Sequence, residues 1–348
     1  MVNTKSFLLV AFLFTFFNKI VSTAVTYNVV NLGAIADGKT DSTKSFLSAW
    51  AAACDSAQAA TIYVPPGSYL LGKASFDGGQ CKNSAITIRI DGTLLAPSDY
   101  SVIGKAGNWL VFEHVNGVSI YGGTLDAQGT GLWACKSSGK SCPTGATTLE
   151  FSNSKNIFIS GLSSINSQKF HIVINAGQNA QGTTNLWIEN IACGPGHGIS
   201  IGSLGKEMQE DGVQNVTVKT VTFTGTENGV RIKTWGRASN GFVRGVVFQH
   251  ATMVNVQNPI LIDQNYCPGN DNCPGQASGV KISDVAYEDI HGSSATEVAV
   301  KFDCSKKNPC SGITLEDVKL TYRNKPAQAS CANAGGSSSG LVQPTSCL

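Results

Sequence analysis

Along most of this chain, apolar residues come in short bursts that alternate with polar ones rather than returning at helical spacing, which predicts strands. From about residue 110 one element recurs. It is a small or amide residue followed by apolar-x-apolar: Asn116-Gly117-Val118-Ser119-Ile120, Asn156-Ile157-Phe158-Ile159, Asn185-Leu186-Trp187-Ile188, Asn215-Val216-Thr217-Val218, Gly279-Val280-Lys281-Ile282 and Gly312-Ile313-Thr314-Leu315. A second ladder of aliphatic pairs follows it: Ile172/Ile174, Ile199/Ile201, Val230/Ile232, Ile260/Ile262 and Val298/Val300, at steps of 27, 31, 30 and 38 residues. Period-two strands returning at such steps predict stacked coils of a parallel β-helix, an all-β solenoid, because one coil cannot bury its apolar face alone. A sandwich of hairpins would show shorter steps and two-residue turns.

The second ladder also assigns faces. With its aliphatic pairs pointing inward, Val173, Asn175, Ser200, Gly202, Arg231, Lys233, Leu261, Asp263, Ala299 and Lys301 point outward. His197 precedes its strand by two residues and lies near Arg231 and Lys233 on the next coil. A histidine beside two cations on one outer face is a candidate site for an acidic ligand.

The amino-terminal part reads differently. Val25–Ala34 is a predicted strand and Asp37-Gly38 a turn. Asp41 or Ser42 can cap a helix running to about Cys54, with Phe46, Leu47, Trp50 and Cys54 on one face. Thr61–Val64 resumes β-structure before Pro65-Pro66-Gly67, so one capping helix followed by strands is expected. Residues 1–24 are read as a signal peptide: Lys5, then the apolar run Phe7–Phe17, then Ser22-Thr23-Ala24. The run is too short to span a bilayer. No linker interrupts the rest, so 25–348 is expected to be one domain.

Charge changes the picture by exclusion. The formal charge of +2 falls to about zero without Lys5 and Lys19, so bulk attraction to nucleic acid is not expected and any basic site must be local. Eleven cysteines behind a secretory signal read as a disulfide framework. Close spacing pairs Cys135 with Cys142, Cys267 with Cys273 and Cys304 with Cys310. Cys331 with Cys347 would pin the tail, Cys54 with Cys81 the cap, and Cys193 is left over. No C-x-x-C metal pattern occurs, and neither a metal nor a cofactor is expected. Asn215-Val216-Thr217 is a glycosylation sequon.

One string is distinctive. Cys193-Gly194-Pro195-Gly196-His197-Gly198-Ile199-Ser200-Ile201-Gly202-Ser203 resembles the histidine signature of plant polygalacturonases. Asn228-Gly229-Val230-Arg231-Ile232-Lys233 is similar to their R-I-K motif, and Tyr266 in Asp263-Gln264-Asn265-Tyr266 to their active-site tyrosine. The likeness extends to Asp37-Gly38-Lys39-Thr40-Asp41 and Asn166–His171, and is strongest to the pollen-type exo-acting enzymes. It implies a right-handed, single-stranded, pectin-lyase-like parallel β-helix that hydrolyses α-1,4-galacturonosyl linkages with inversion in the cell wall. His197 would be catalytic, and Arg231, Lys233 and Tyr266 would bind substrate. A monomer with no nucleic-acid or membrane partner is expected.

Inverting hydrolysis needs one carboxylic acid for the leaving oxygen and one carboxylate for water. The family is known for three aspartates in N-T-D and D-D motifs before the histidine. Here no aspartate occurs between Asp126 and Asp211; the sequence passes from a stretch resembling the family before N-T-D, ending at Gln181, into one resembling it after D-D, starting at Gly182. In the family Cys193 would pair with a cysteine after D-D, so its lack of a partner fits the same internal deletion. Asp263 is the carboxylate that the ladder places near Lys233, where a salt bridge is its expected role. The alternative function is a pectate-binding relative with impaired turnover. A lyase of the same fold would need clustered acidic Ca²⁺ ligands, which are absent between 127 and 206.

Overall fold

The structure, a computed structural model, describes residues 24–176, 182–268 and 272–348. The proposed signal peptide and the Gln181 side of the deletion junction lie outside these residues. The chain winds as a right-handed parallel β-helix whose strands collect into a 17-stranded and a nine-stranded sheet. The smaller sheet carries the site. Its strands, one per coil and in chain order, are β1 (Ala74–Asp77), β2 (Asn108–Glu113), β3 (Thr147–Ser152), β4 (Ile172–Asn175), β5 (Ile199–Leu204), β6 (Asn228–Trp235), β7 (Asn258–Tyr266), β8 (Val298–Asp303) and β9 (Gln328–Ala332).

Register explains the ladder. Ile172, Ile199, Val230, Ile260 and Val300 are successive partners across β4 to β8, all 0–1% exposed. Identical or similar side chains stack at each inward position, so the core is a series of columns. Phe76, Phe112 and Phe151 form one, with ring centroids 4.6 and 5.2 Å apart. The last step of the ladder departs from expectation: Ile260 and Ile262 pair with Val300 and Phe302, two residues beyond the expected Val298/Val300. The outward residues there are therefore Lys301 and Asp303. A longer preceding coil shifted the apparent repeat without changing the stack.

The recurring N/G element also has a physical cause. Gly117, Asn156, Asn185, Asn215, Gly245, Asp284 and Gly312 occupy one corner of successive coils, all with φ between 55° and 71°. That left-handed backbone favours glycine, asparagine and aspartate. The asparagine side chains bond along the stack: Asn156 donates to Asn116 (2.7 Å), Asn185 to Asn156 (3.0 Å) and Asn215 to Asn185 (2.6 Å). The sequon asparagine is thus the end of an amide ladder. In the next-to-last full coil Asp284, rather than Gly279, holds this corner.

At the amino end α1 (Thr43–Asp55) covers the first coils. Asp41, not Ser42, accepts the Thr43 N–H (2.8 Å), while the Ser42 hydroxyl turns to Ile35. The buried face is Phe46, Ala49, Trp50 and Ala53, with Leu47 half-buried at its margin. The expected strand Val25–Ala34 stops at Asn28 and passes into a 3₁₀ turn at Val30–Leu32. Two further helices, α2 (Tyr100–Gly104) and α3 (Thr130–Ser137), interrupt the expected run of strands. Both lie in long connections, where tertiary packing rather than periodicity sets conformation. All five expected disulfides are present, and Cys193 is free and buried.

Candidate active site

The outward positions of β3 to β8 form a single row: Glu150, Val173, Ser200, Arg231, Leu261 and Lys301 are partners strand by strand. Arg231 lies on the floor of a groove of about 530 Å³, with Lys169, Phe170, His197, Glu227, Asp263 and Tyr266 among its lining residues. Its guanidinium donates to Asp263 (2.7 Å) and sits 5.0 Å from the Tyr266 ring centroid. Its Nε–H is buried and makes no hydrogen bond within the described residues. An unpaired buried donor is costly.

Lys233 also points outward, but it does not face open solvent: it is 2% exposed. Its ammonium donates to the Gly202 carbonyl and lies 4.5 Å from the Phe170 centroid and 5.6 Å from that of Tyr266. Burial, reinforced by the neighbouring Arg231, pulls its pKa well below the usual lysine value. The expected pair of surface cations is therefore one groove cation, Arg231, with a second beneath an aromatic roof. Tyr266 is part of that roof and lies edge-on to Trp235 at 5.4 Å.

His197 is held on several sides. Its ring stacks on Trp133 (5.4 Å, 26°) and meets Phe170 edge-on (5.1 Å, 77°). Nε2 lies 2.8 Å from a Glu227 oxygen, and Nδ1 is buried without a hydrogen-bond partner among the described residues. Burial alone would raise the Glu227 pKa, but the bond to His197, its charge and that of Arg231 outweigh it and hold the carboxyl below its ordinary value.

The loop carrying His197 rests on a second histidine. His171 is fully buried, with Nδ1 2.8 Å from the Ser164 hydroxyl and Nε2 3.1 Å from the Pro195 carbonyl. A carbonyl only accepts, so Nε2 carries the proton and Nδ1 accepts from Ser164. Gly196 passes so close that a Cβ there would lie 2.6 Å from His171 Nε2.

Four of these residues escaped the sequence reading in their site roles. Trp133 comes from α3, whose carboxyl end is tied down by Cys135–Cys142, and no repeat marks it. His171 lay in a stretch read only for its resemblance. No motif marks Glu227, although it stands four residues before Arg231 on the same coil. Glu150 was overlooked, although Leu149 and Phe151 pointing inward already turn it toward the site face. Burial pushes its carboxyl upward against the opposing pull of Lys233, and Asn175 and Asn108 bond to it.

The arrangement is an open groove lined by a guanidinium, aromatic rings and flanking carboxylates, on a coil stack. That is the layout of a β-helix carbohydrate-active enzyme. The sequence matches glycosyl hydrolases family 28 in two stretches, 54–181 and 179–347, and the chain belongs to that family. It is 59% identical to a Prunus persica polygalacturonase over 394 aligned positions spanning both chains completely. An exopolygalacturonase of Platanus acerifolia is 35% identical, with 93% of this chain and 98% of that one aligned. Among solved structures, the endo-xylogalacturonan hydrolase of Aspergillus tubingensis shares the fold, with a TM-score of 0.52 and 20% identity over 91% of this chain and 100% of that one. The 394 positions exceed the 348 residues here, so at least 46 have no counterpart in this chain. The break in the family match at 179–181 falls where the aspartate motifs are missing.

Proposed function

We propose that this chain binds polygalacturonate along the outer face of β5 to β8 and hydrolyses its α-1,4-galacturonosyl linkages, in the cell wall after secretion. The observation that carries the reading is Arg231, a guanidinium lining the groove beside Lys169 and Lys301, a charge and a planar fork suited to a uronate carboxylate. Tyr266 packs over that guanidinium, and Lys233 lies beneath the aromatic rings as a further substrate-binding residue. His197 stands at the groove edge, where the glycosidic oxygen would lie. Membership of the family and the identity to polygalacturonases support the substrate. Five disulfides, which persist in oxidising compartments, support secretion. Among the described residues no helix is long and apolar enough to cross a membrane.

A second reading, binding with impaired turnover, is favoured by one observation. The carboxylates beside His197 and Arg231 are engaged: Glu227 holds the histidine and Asp263 holds the arginine. Neither stands free to protonate a leaving oxygen. A positioned acid or base contributes about 10²–10⁴-fold. Hydrolysis is therefore expected to be at least ~10²-fold slower than in the same chain with an N-T-D and D-D segment restored between Gln181 and Gly182. Reducing-end release from polygalacturonate, measured beside calorimetric binding, separates the readings. Equal rates from both proteins would mean that other residues catalyse. Absence of binding would remove polygalacturonate as the ligand.

A further inference from the structure

Asn215-Val216-Thr217 is the single N-x-[Ser/Thr] sequon in the sequence with a middle residue other than proline. The fold puts it on a surface the groove does not use. Asn215 stands near the start of a strand of the 17-stranded sheet, Val213–Thr224, and no residue of its corner lines the groove. Asn215 is exposed. Thr217 is the register partner of Trp187, which is 40% exposed, so the face beside the sequon is uncovered among the described residues.

The corner itself favours asparagine, since Asn156 and Asn185 stand there without a sequon. Two features set Asn215 apart from them. The first is its place in the ladder. The Asn185 carboxamide is held on both sides, donating to Asn156 (3.0 Å) and accepting from Asn215 (2.6 Å). Asn156 is held in the same way between Asn116 and Asn185. Beyond Asn215 the next corner is Gly245, which has no side chain to continue the row. A Cβ built there would meet nothing within 4 Å but the Asn215 backbone, so the space past the Asn215 carboxamide is open. That carboxamide has two hydrogens on its nitrogen, and the ladder bond to Asn185 uses one. The second feature is Thr217. Its outward column runs Phe158, Trp187, Thr217, Val247 and Ala286, and the packing needs no hydroxyl between Trp187 and Val247.

We propose that Asn215 carries an N-linked glycan that leaves the coil stack at the open end of the amide ladder, over the Gly245 corner. The transfer takes place on the extended chain before it folds, with a lipid pyrophosphate oligosaccharide as donor. Asn215 Nδ2 bonds to C1 of the donor's terminal N-acetylglucosamine, and the bond from C1 to the pyrophosphate oxygen breaks. The lipid pyrophosphate leaves, and one Nδ2 proton passes to a base of the transferase. The nitrogen keeps one N–H, the number the bond to Asn185 requires, so the modified chain can close the same ladder. At Asn156 or Asn185 the sugar would meet the next carboxamide along the row. The inference rests on the secretion reading of the proposed function, because the donor is met in the secretory route.

The test expresses the full chain in cultured eukaryotic cells behind its own residues 1–24 and, in parallel, behind a foreign signal peptide. Peptide mass spectrometry should find the glycan on Asn215, and a glycan-releasing amidase should leave a carboxylate where the amide stood. Thr217→Ala should lose the glycan and Thr217→Ser should keep it. An unmodified Asn215 in the foreign-signal product, or a glycan that survives Thr217→Ala, overturns the inference. Retention of the own-signal product in the cell while the foreign-signal product is secreted overturns the secretion reading alone. Placement has its own measurement. Gly245→Asn, a residue type that tolerates the φ of 61° there, extends the ladder into the space assigned to the sugar. Its secreted yield, relative to the same chain with Thr217→Ala, should fall below the ratio found when Gly245 is kept. Equal ratios overturn the placement over Gly245.

Discussion

His171 offers a measurable link between burial and acid stability. It is fully buried, and burial pulls its pKa from the usual 6.5 down to about 3, with the nearby His197 adding to the effect and the Pro195 carbonyl opposing it. Between those pH values the unfolded chain carries a proton that the folded chain excludes. Stability therefore rises with pH across this window and is lost as pH falls from about 6.5 towards 3. Each unit is worth about 1.4 kcal/mol, so the full window amounts to about 4–5 kcal/mol, an upper figure because the acidic end approaches the folded pKa. His171→Gln removes the titration but keeps an N–H able to donate to Pro195. Denaturant unfolding of both proteins from pH 7 to pH 3.5, disulfides intact, isolates the effect, since carboxylates common to both cancel in the difference. The advantage of the original chain over the glutamine variant should shrink by about 1.4 kcal/mol per pH unit through the middle of the window. A difference that stays constant with pH would refute the argument: His171 would then titrate alike in both states, or be charged in the fold.

Cys193 is buried and its thiol pushed well up by burial, so thiol reagents should leave the native protein unmodified and find one sulfhydryl after unfolding without reduction; a fast native reaction would place the thiol at the surface. Arg231 and Asp263 have side chains only 10% and 21% exposed, so Arg231→Ala should cost about 3–5 kcal/mol by stranding the carboxylate, with Arg231→Ala/Asp263→Ala recovering most of it. Equal losses in the single and double variants, measured by denaturant unfolding, would show that packing rather than charge is at stake.

The coil stack was legible because each coil touches only its neighbours, so a local pattern of apolar pairs is enough to define it. Ile172, Ile199, Val230 and Ile260 stand where their alternation says. The disulfides were legible for a similar reason: four of the five close loops of 6, 7, 16 or 27 residues within or between adjacent turns, and the fifth spans 6 as well. The leftover cysteine followed by subtraction. Register failed at Gly279, whose expected corner Asp284 holds, and at Val298, where a longer connection gave two equally aliphatic alternatives and packing chose the second.

The site was legible only as far as it lies on the ladder. Alternation turns Arg231 and Lys233 outward, but outward on a strand is not the same as exposed. Phe170 and Tyr266 arrive from other coils and cover Lys233, which decides that it acts from below rather than at the surface. Trp133 reaches His197 across 64 residues of sequence through a disulfide-closed helix, and no periodicity encodes that contact. Sequence determined the repeat, the corners and the cysteine pairing, since these depend on backbone sterics and near neighbours. Tertiary structure alone decided which polar groups meet, because desolvation and charge pairing depend on everything packed around a side chain, wherever in the chain it comes from.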